Sequence, residues 1–376
     1  MNDPRFARLA DLLVRHSTRL VPGDRVLIEA SHIPAPMLTA LVEAAVAAGA
    51  VPLVDLKEPR ITRQLLLAGS LESLEERMRF LGETELRRME TVQAYISLRG
   101  AENITELSDV PPERMALYEK HWQKPVHFEQ RVKHTRWVVL RWPNPGMAQQ
   151  ANMSTEAFED FYFQVCLADY AAMEKAVQPL IQRMEAADRV RITGPGTDLS
   201  FSMKGIGVVP CFGRRNIPDG ECFSAPVRDS VHGVVQFNAP TIYRGTPMDG
   251  VRLVFRDGRV VEASSSDTPA LERILDSDEG ARYIGEFALA FNPHIRRPMR
   301  DILFDEKIRG SLHLALGQCY ETTENHNRSS IHWDNVLLQE EGGEVWFDDV
   351  LIRKDGLFVT PDLAGLNPEA LAGSSR

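Results

Sequence analysis

Short apolar runs of strand length alternate with helical stretches through the first half of this 376-residue chain, and that order limits the folds open to it. A helical pattern over residues 6–19 leads through Pro22-Gly23 into Arg25-Val26-Leu27-Ile28-Glu29, a short apolar run. Residues 36–48 read as a helix, with Pro36 suited to the first turn and Gly49 to the stop. Residues 51–55, 92–98 and 137–142 are further strand candidates, and 71–88 is a helical stretch ahead of the second of these. Such β-α-β order calls for a mostly parallel sheet covered by helices. Ser154 then fits the N-cap of a long helical pattern reaching about residue 187, which Pro179 should kink or divide. Beyond it, residues 189–192, 199–203, 231–237 and 251–263 are short β runs, and Asp257-Gly258 and Asp355-Gly356 are hairpin signals. The expectation is an α/β N-terminal domain with a mostly parallel sheet over residues 1–187. A strand-rich α+β catalytic domain should follow over residues 188–376.

Composition excludes several function classes. A formal net charge of −10 argues against a nucleic-acid partner, because phosphate contacts need clustered Lys and Arg. Residues 1–10 are charged and lack the apolar core of a signal peptide. No apolar run nears the ~20 residues that span a bilayer, so no membrane partner and a cytoplasmic location are expected. The four cysteines, Cys166, Cys211, Cys222 and Cys319, are far apart without CxxC pairing, which fits reduced thiols better than a disulfide framework or a zinc ribbon.

Chemistry concentrates in three stretches of the second half. Asn216-Ile217-Pro218-Asp219-Gly220-Glu221 is a turn-forming run ending on an acid. In Ile284-Gly285-Glu286-Phe287-Ala288 one carboxylate interrupts an apolar strand. Ser311 to Gly317 carries His313, followed by Tyr320 and by Ile331-His332-Trp333-Asp334. A buried acid or imidazole needs a partner, and a divalent metal is one. His332 and Asp334 stand two apart, so on a strand they share a face. Mixed carboxylate and imidazole ligands suit Zn, Co or Mn better than Ca. Taken singly, each residue has a plainer reading: His313 as a hydrogen-bonded core histidine, Glu286 paired with Arg282, Tyr320 as a packed aromatic.

Together they resemble the metallo-aminopeptidases of the aminopeptidase T family. The resemblance rests on Pro218 to Glu221, Gly285 to Leu289, Phe304-Asp305-Glu306, His313 to Gly317, Tyr320, and His332 to Asp334. It extends to Leu20 through Asp24 and to the stretch from Trp142 to Ser154 in the first half. Lys307 stands where that family usually carries Asn, and the spacing from Glu306 to His313 is longer than usual. The resemblance implies two divalent metal ions (Zn, Co or Mn) on Glu221, Glu286, His313, Tyr320, His332 and Asp334, with Glu286 as the bridge. It implies catalytic work for Glu286, Glu221, Tyr320 and Glu306, a peptide substrate with a free N-terminus, and a homodimer. The competing reading is a ring-cleaving dioxygenase of similar fold, with one iron on His313, His332 and Asp334.

Overall fold

The computed structural model describes residues 3–373 apart from 101, 104 and 244. The strand-length runs of the first half pair in parallel. Their sheet runs Val51–Lys57, Arg25–Ser31, Ala94–Arg99, Arg136–Arg141 and the short Asn216–Ile217. Ala94 to Leu98 is buried throughout, as expected of a central strand covered on both faces. Helix Leu71–Glu90 contributes Met89 and the helical stretch Glu119–Arg131 contributes Val126 to a core shared with Leu27, Tyr95 and Val139. The expected long helix is three: Thr155–Cys166, Tyr170–Ala176 and Gln178–Ala186. Ser154 caps the first, but Asp169 starts a second by accepting from the Ala172 amide at 2.9 Å. Pro179 sits in the first turn of the third, where a missing N–H costs nothing.

The chain forms two compact units, Met1–Leu167 with Gly213–Ile217, and Ala168–Phe212 with Pro218–Arg376. The second is strand-rich and antiparallel. Its eight-stranded sheet runs Arg259–Ser264, Arg252–Arg256, His232–Gln236, Thr197–Ser202, Arg189–Gly194, Glu344–Phe347, Val350–Lys354 and Leu357–Phe358. The two Asp-Gly pairs form hairpin turns in it, with positive φ at both residues of each (49° and 79° at Asp257 and Gly258, 47° and 77° at Asp355 and Gly356).

The other main sheet runs His332–Leu337, Leu312–Gly317, Ile284–Ala290, Glu221–Ser224 and Val209–Cys211. One of its faces joins the core, where Phe287 meets Phe201 edge to face at 5.1 Å. Arg353, fully buried, donates to the carbonyls of Ser311 at 2.7 Å and Ala290 at 2.8 Å, next to two strands of this sheet. All four cysteines are free. No helix among the described residues is long and apolar enough to cross a membrane.

Candidate metal centre

The opposite face of the five-stranded sheet carries the acids and histidines. Antiparallel register sets Glu286 opposite Ala315 and Ala315 opposite Asp334. His313 lies opposite Ala288, His332 opposite Gly317, and Glu221 opposite Ala290. Opposed residues share a face, and every second residue does too. Glu221, Glu286, His313, His332 and Asp334 therefore project from one surface, while the intervening Ala288, Ala290, Ala315 and Gly317 leave space between them. A register shift at Ile284 and Glu286 aims the acid. Gly285 makes that bulge possible, since a Cβ there would lie 2.4 Å from the Gly317 carbonyl oxygen.

Glu286 sits between the two imidazoles. Its Oε1 lies 3.2 Å from His313 Nε2 and its Oε2 3.3 Å from His332 Nε2. Asp334 Oδ1 lies 3.4 Å from His332 Nε2 and 3.9 Å from His313 Nε2. Arg282, the plainer partner for Glu286, pairs instead with Glu272 and Asp276. Both rings are oriented from behind: His313 Nδ1 is 3.3 Å from the Glu306 carbonyl oxygen and His332 Nδ1 is 2.8 Å from that of Gln318. A carbonyl only accepts, so each Nδ1 carries the hydrogen, and in the neutral ring Nε2 holds the lone pair that a cation needs.

Glu306 and Lys307 reach the same centre from the turn after the short helix Ile302–Asp305, whose Asp305 carboxylate accepts from the Met299 and Arg300 amides. Lys307 Nζ donates to Glu221 Oε1 and lies 2.9 Å from Glu306 Oε1 and 3.8 Å from Asp219 Oδ1. Glu221 Oε2 is buried without a hydrogen-bond partner, with His313 Nδ1 at 3.6 Å. Tyr320 is 48% exposed, with its ring 5.1 Å from that of His332. A cavity of about 120 Å³ adjoins the centre, lined by His332, Asp334, Thr241, Tyr243 and Trp333 among others.

Ligand atoms fall within 4.8 Å of one another in Glu221–Glu286–His313, in Glu286–His332–Asp334 and in Glu306–His313–Asp334. Two overlapping groups sharing Glu286 fit two cations, and the orphaned Glu221 Oε2 is a buried anionic atom waiting for one. Sequence reasoning named these acids and histidines but missed Asp219, which precedes Glu221 by two and joins Lys307. It also missed the two backbone carbonyls that set the histidines.

The electrostatics follow from the crowding. Burial raises the Glu286 carboxyl, but hydrogen bonds from His313 and His332 outweigh it and leave it below its usual value. Burial works against charge on His313, yet Glu221, Glu286 and Asp334 push it up to about 9. His332 moves up for the same kind of reason, against burial and through Asp334 and Glu286. Glu306 is raised to about 8, by burial first and then by Glu221 and Asp334, with Lys307 opposing. His313 must lose its proton to serve as a ligand, so cation binding near pH 7 should release protons and tighten as pH rises toward about 9. Calorimetry of Zn²⁺ binding to chelated protein in buffers of different ionisation enthalpy reads this directly. Apparent enthalpies that do not vary with the buffer would contradict it.

A family model described as thermophilic metalloprotease (M29) matches residues 2–346. Aminopeptidase T of Thermus thermophilus is 27% identical over 379 residues, covering 89% of this chain and 92% of that protein. The structure of AmpT from Thermus thermophilus superposes with a TM-score of 0.80 at 24% identity, over 95% of this chain and 99% of that one. That of 2,5-dihydroxypyridine dioxygenase from Pseudomonas putida gives 0.61 at 13% identity, over 96% and 98%.

Proposed function

The chain belongs to the thermophilic metalloprotease family M29, and on that premise we infer that it releases N-terminal residues from peptides. It is a metal-dependent aminopeptidase, and the observation that carries the reading is Glu286, which offers one carboxylate oxygen to each imidazole side of a two-part acidic centre. Two divalent cations held there, Zn, Co or Mn by the mixed nitrogen and oxygen donors, would acidify a water and polarise the scissile carbonyl.

The remaining work falls to side chains. Glu286 is assigned the bridging position, with His332 and Asp334 on one side and Glu221 and His313 on the other. Glu306 is assigned the proton relay from water to the departing amine, because its buried carboxylate faces the same centre, within 4.8 Å of ligand atoms of His313 and Asp334. Tyr320, beside His332, is assigned to the developing oxyanion or to ligation. A free substrate α-amine would bind one cation or a nearby carboxylate, which would account for exopeptidase action.

A mononuclear iron on His313, His332 and Asp334 uses neither Glu221 nor Glu286, whereas Glu286 lies between both imidazoles and the buried Glu221 Oε2 has no hydrogen-bond partner. Hydrolysis of leucyl p-nitroanilide against its N-acetyl derivative separates the readings of the substrate. The free amine should be cleaved and the blocked one should not; equal cleavage of both would rule out an aminopeptidase.

A further inference from the structure

Lys307 is the residue of this centre that hydrolytic chemistry does not explain. It is 1% exposed, and its ammonium group makes ion pairs with Glu221, Glu306 and Asp219. None of these three contacts reaches Glu286, His332 or Asp334. The ion pairs are therefore gathered at one end of the site, and the field of the ammonium reaches Asp334 without direct contact.

The consequences are electrostatic. Cys211, Asp219 and Glu221 form a further group whose ligand atoms lie within 4.8 Å, and Lys307 already supplies positive charge there. Glu221 Oε1 is committed to the ammonium, so only Oε2 is left for the side facing His313. A dication drawn to Glu221 must approach a fixed like charge already paired with that acid and with its neighbour Glu306. At the Glu286–His332–Asp334 end a dication meets two carboxylates with no ammonium bound to either.

We propose that Lys307 is a built-in counter-ion that makes the two cation positions unequal, the Glu286–His332–Asp334 position filling first and the Glu221–Glu286–His313 position filling more weakly. This rests on the two-cation reading above. It assigns Lys307 a positioning role, holding Glu221 and setting the strength of the second position, and not contact with substrate.

The test is Zn²⁺ titration of the chelated full-length protein, by calorimetry and by metal content after dialysis, for wild type, Lys307→Met and Lys307→Arg. Wild type should bind in two steps separated by at least about tenfold in affinity. Lys307→Met, similar in volume and uncharged, should tighten the second step by about tenfold or more while moving the first by less than about threefold. Lys307→Arg keeps the charge and should keep the weak step. A lysine serving only to neutralise buried acids would lower the metal-free thermal midpoint on substitution without tightening anything. If Lys307→Met does not fold, wild type still decides: two equal steps overturn the counter-ion proposal and leave the two-cation reading standing. Binding of no Zn²⁺ at all would overturn both.

Discussion

Glu286→Gln should lower kcat/KM for an aminoacyl anilide by on the order of 10³-fold or more, a loss of about 4 kcal/mol in transition-state stabilisation. The substitution keeps the shape of the side chain and removes its charge. In wild type both oxygens accept, one facing each histidine Nε2. In the variant one of them becomes an NH₂ group, which can only donate and so repels a cation on its side. Metal content should fall with activity, because the shared acid is lost from both overlapping groups. Volume is conserved and the buried strand Ile284–Ala290 stays apolar on its other face, so the variant should remain folded by circular dichroism. Full turnover with a full metal complement would remove Glu286 from the bridging position.

Arg353→Ala should destabilise the second unit by about 3–5 kcal/mol, and Arg353→Met by only about 1–3 kcal/mol. Arg353 is fully buried, and its guanidinium stacks 4.1 Å over Phe358 while donating to Ser311 and Ala290. Burial draws its pKa down to about 9, so holding the charge there is itself costly. Methionine gives up the two donated bonds but keeps most of the packing, and Ser311 O still accepts from the Ala290 amide at 3.0 Å. Alanine also leaves a cavity. Urea denaturation of both variants checks the order: equal losses would mean that the carbonyl contacts, not the packing, carry the stability.

The sheet face that builds the site is partly legible in the sequence. Period-two spacing placed His332 and Asp334 together, and the structure has them on one strand, 3.4 Å apart. Ala288, Ala315 and Gly317 are explained by register, because small residues opposite the acids and histidines keep the face open. The parallel sheet and both Asp-Gly hairpins followed from local chemistry alone. What local reading missed depended on distant parts of the chain. The helix break at Asp169 is a new cap within a pattern that stays apolar. Lys307 pairs with Glu221 across 86 residues of sequence, which no spacing rule reaches. The carbonyls of Glu306 and Gln318 that fix the histidines are main-chain atoms and leave no mark on residue identity.

A two-cation hydrolytic centre on one face of the Ile284–Ala290 sheet makes activity inseparable from bound metal. Its most direct test is to strip the full-length protein with a chelator, add back Zn, Co or Mn, and record cations bound per chain alongside hydrolysis of leucyl p-nitroanilide. Activity should vanish on chelation and return as the second cation binds. Activity untouched by complete removal of metal would contradict the account, as would one iron per chain with oxygen uptake and no amide cleavage.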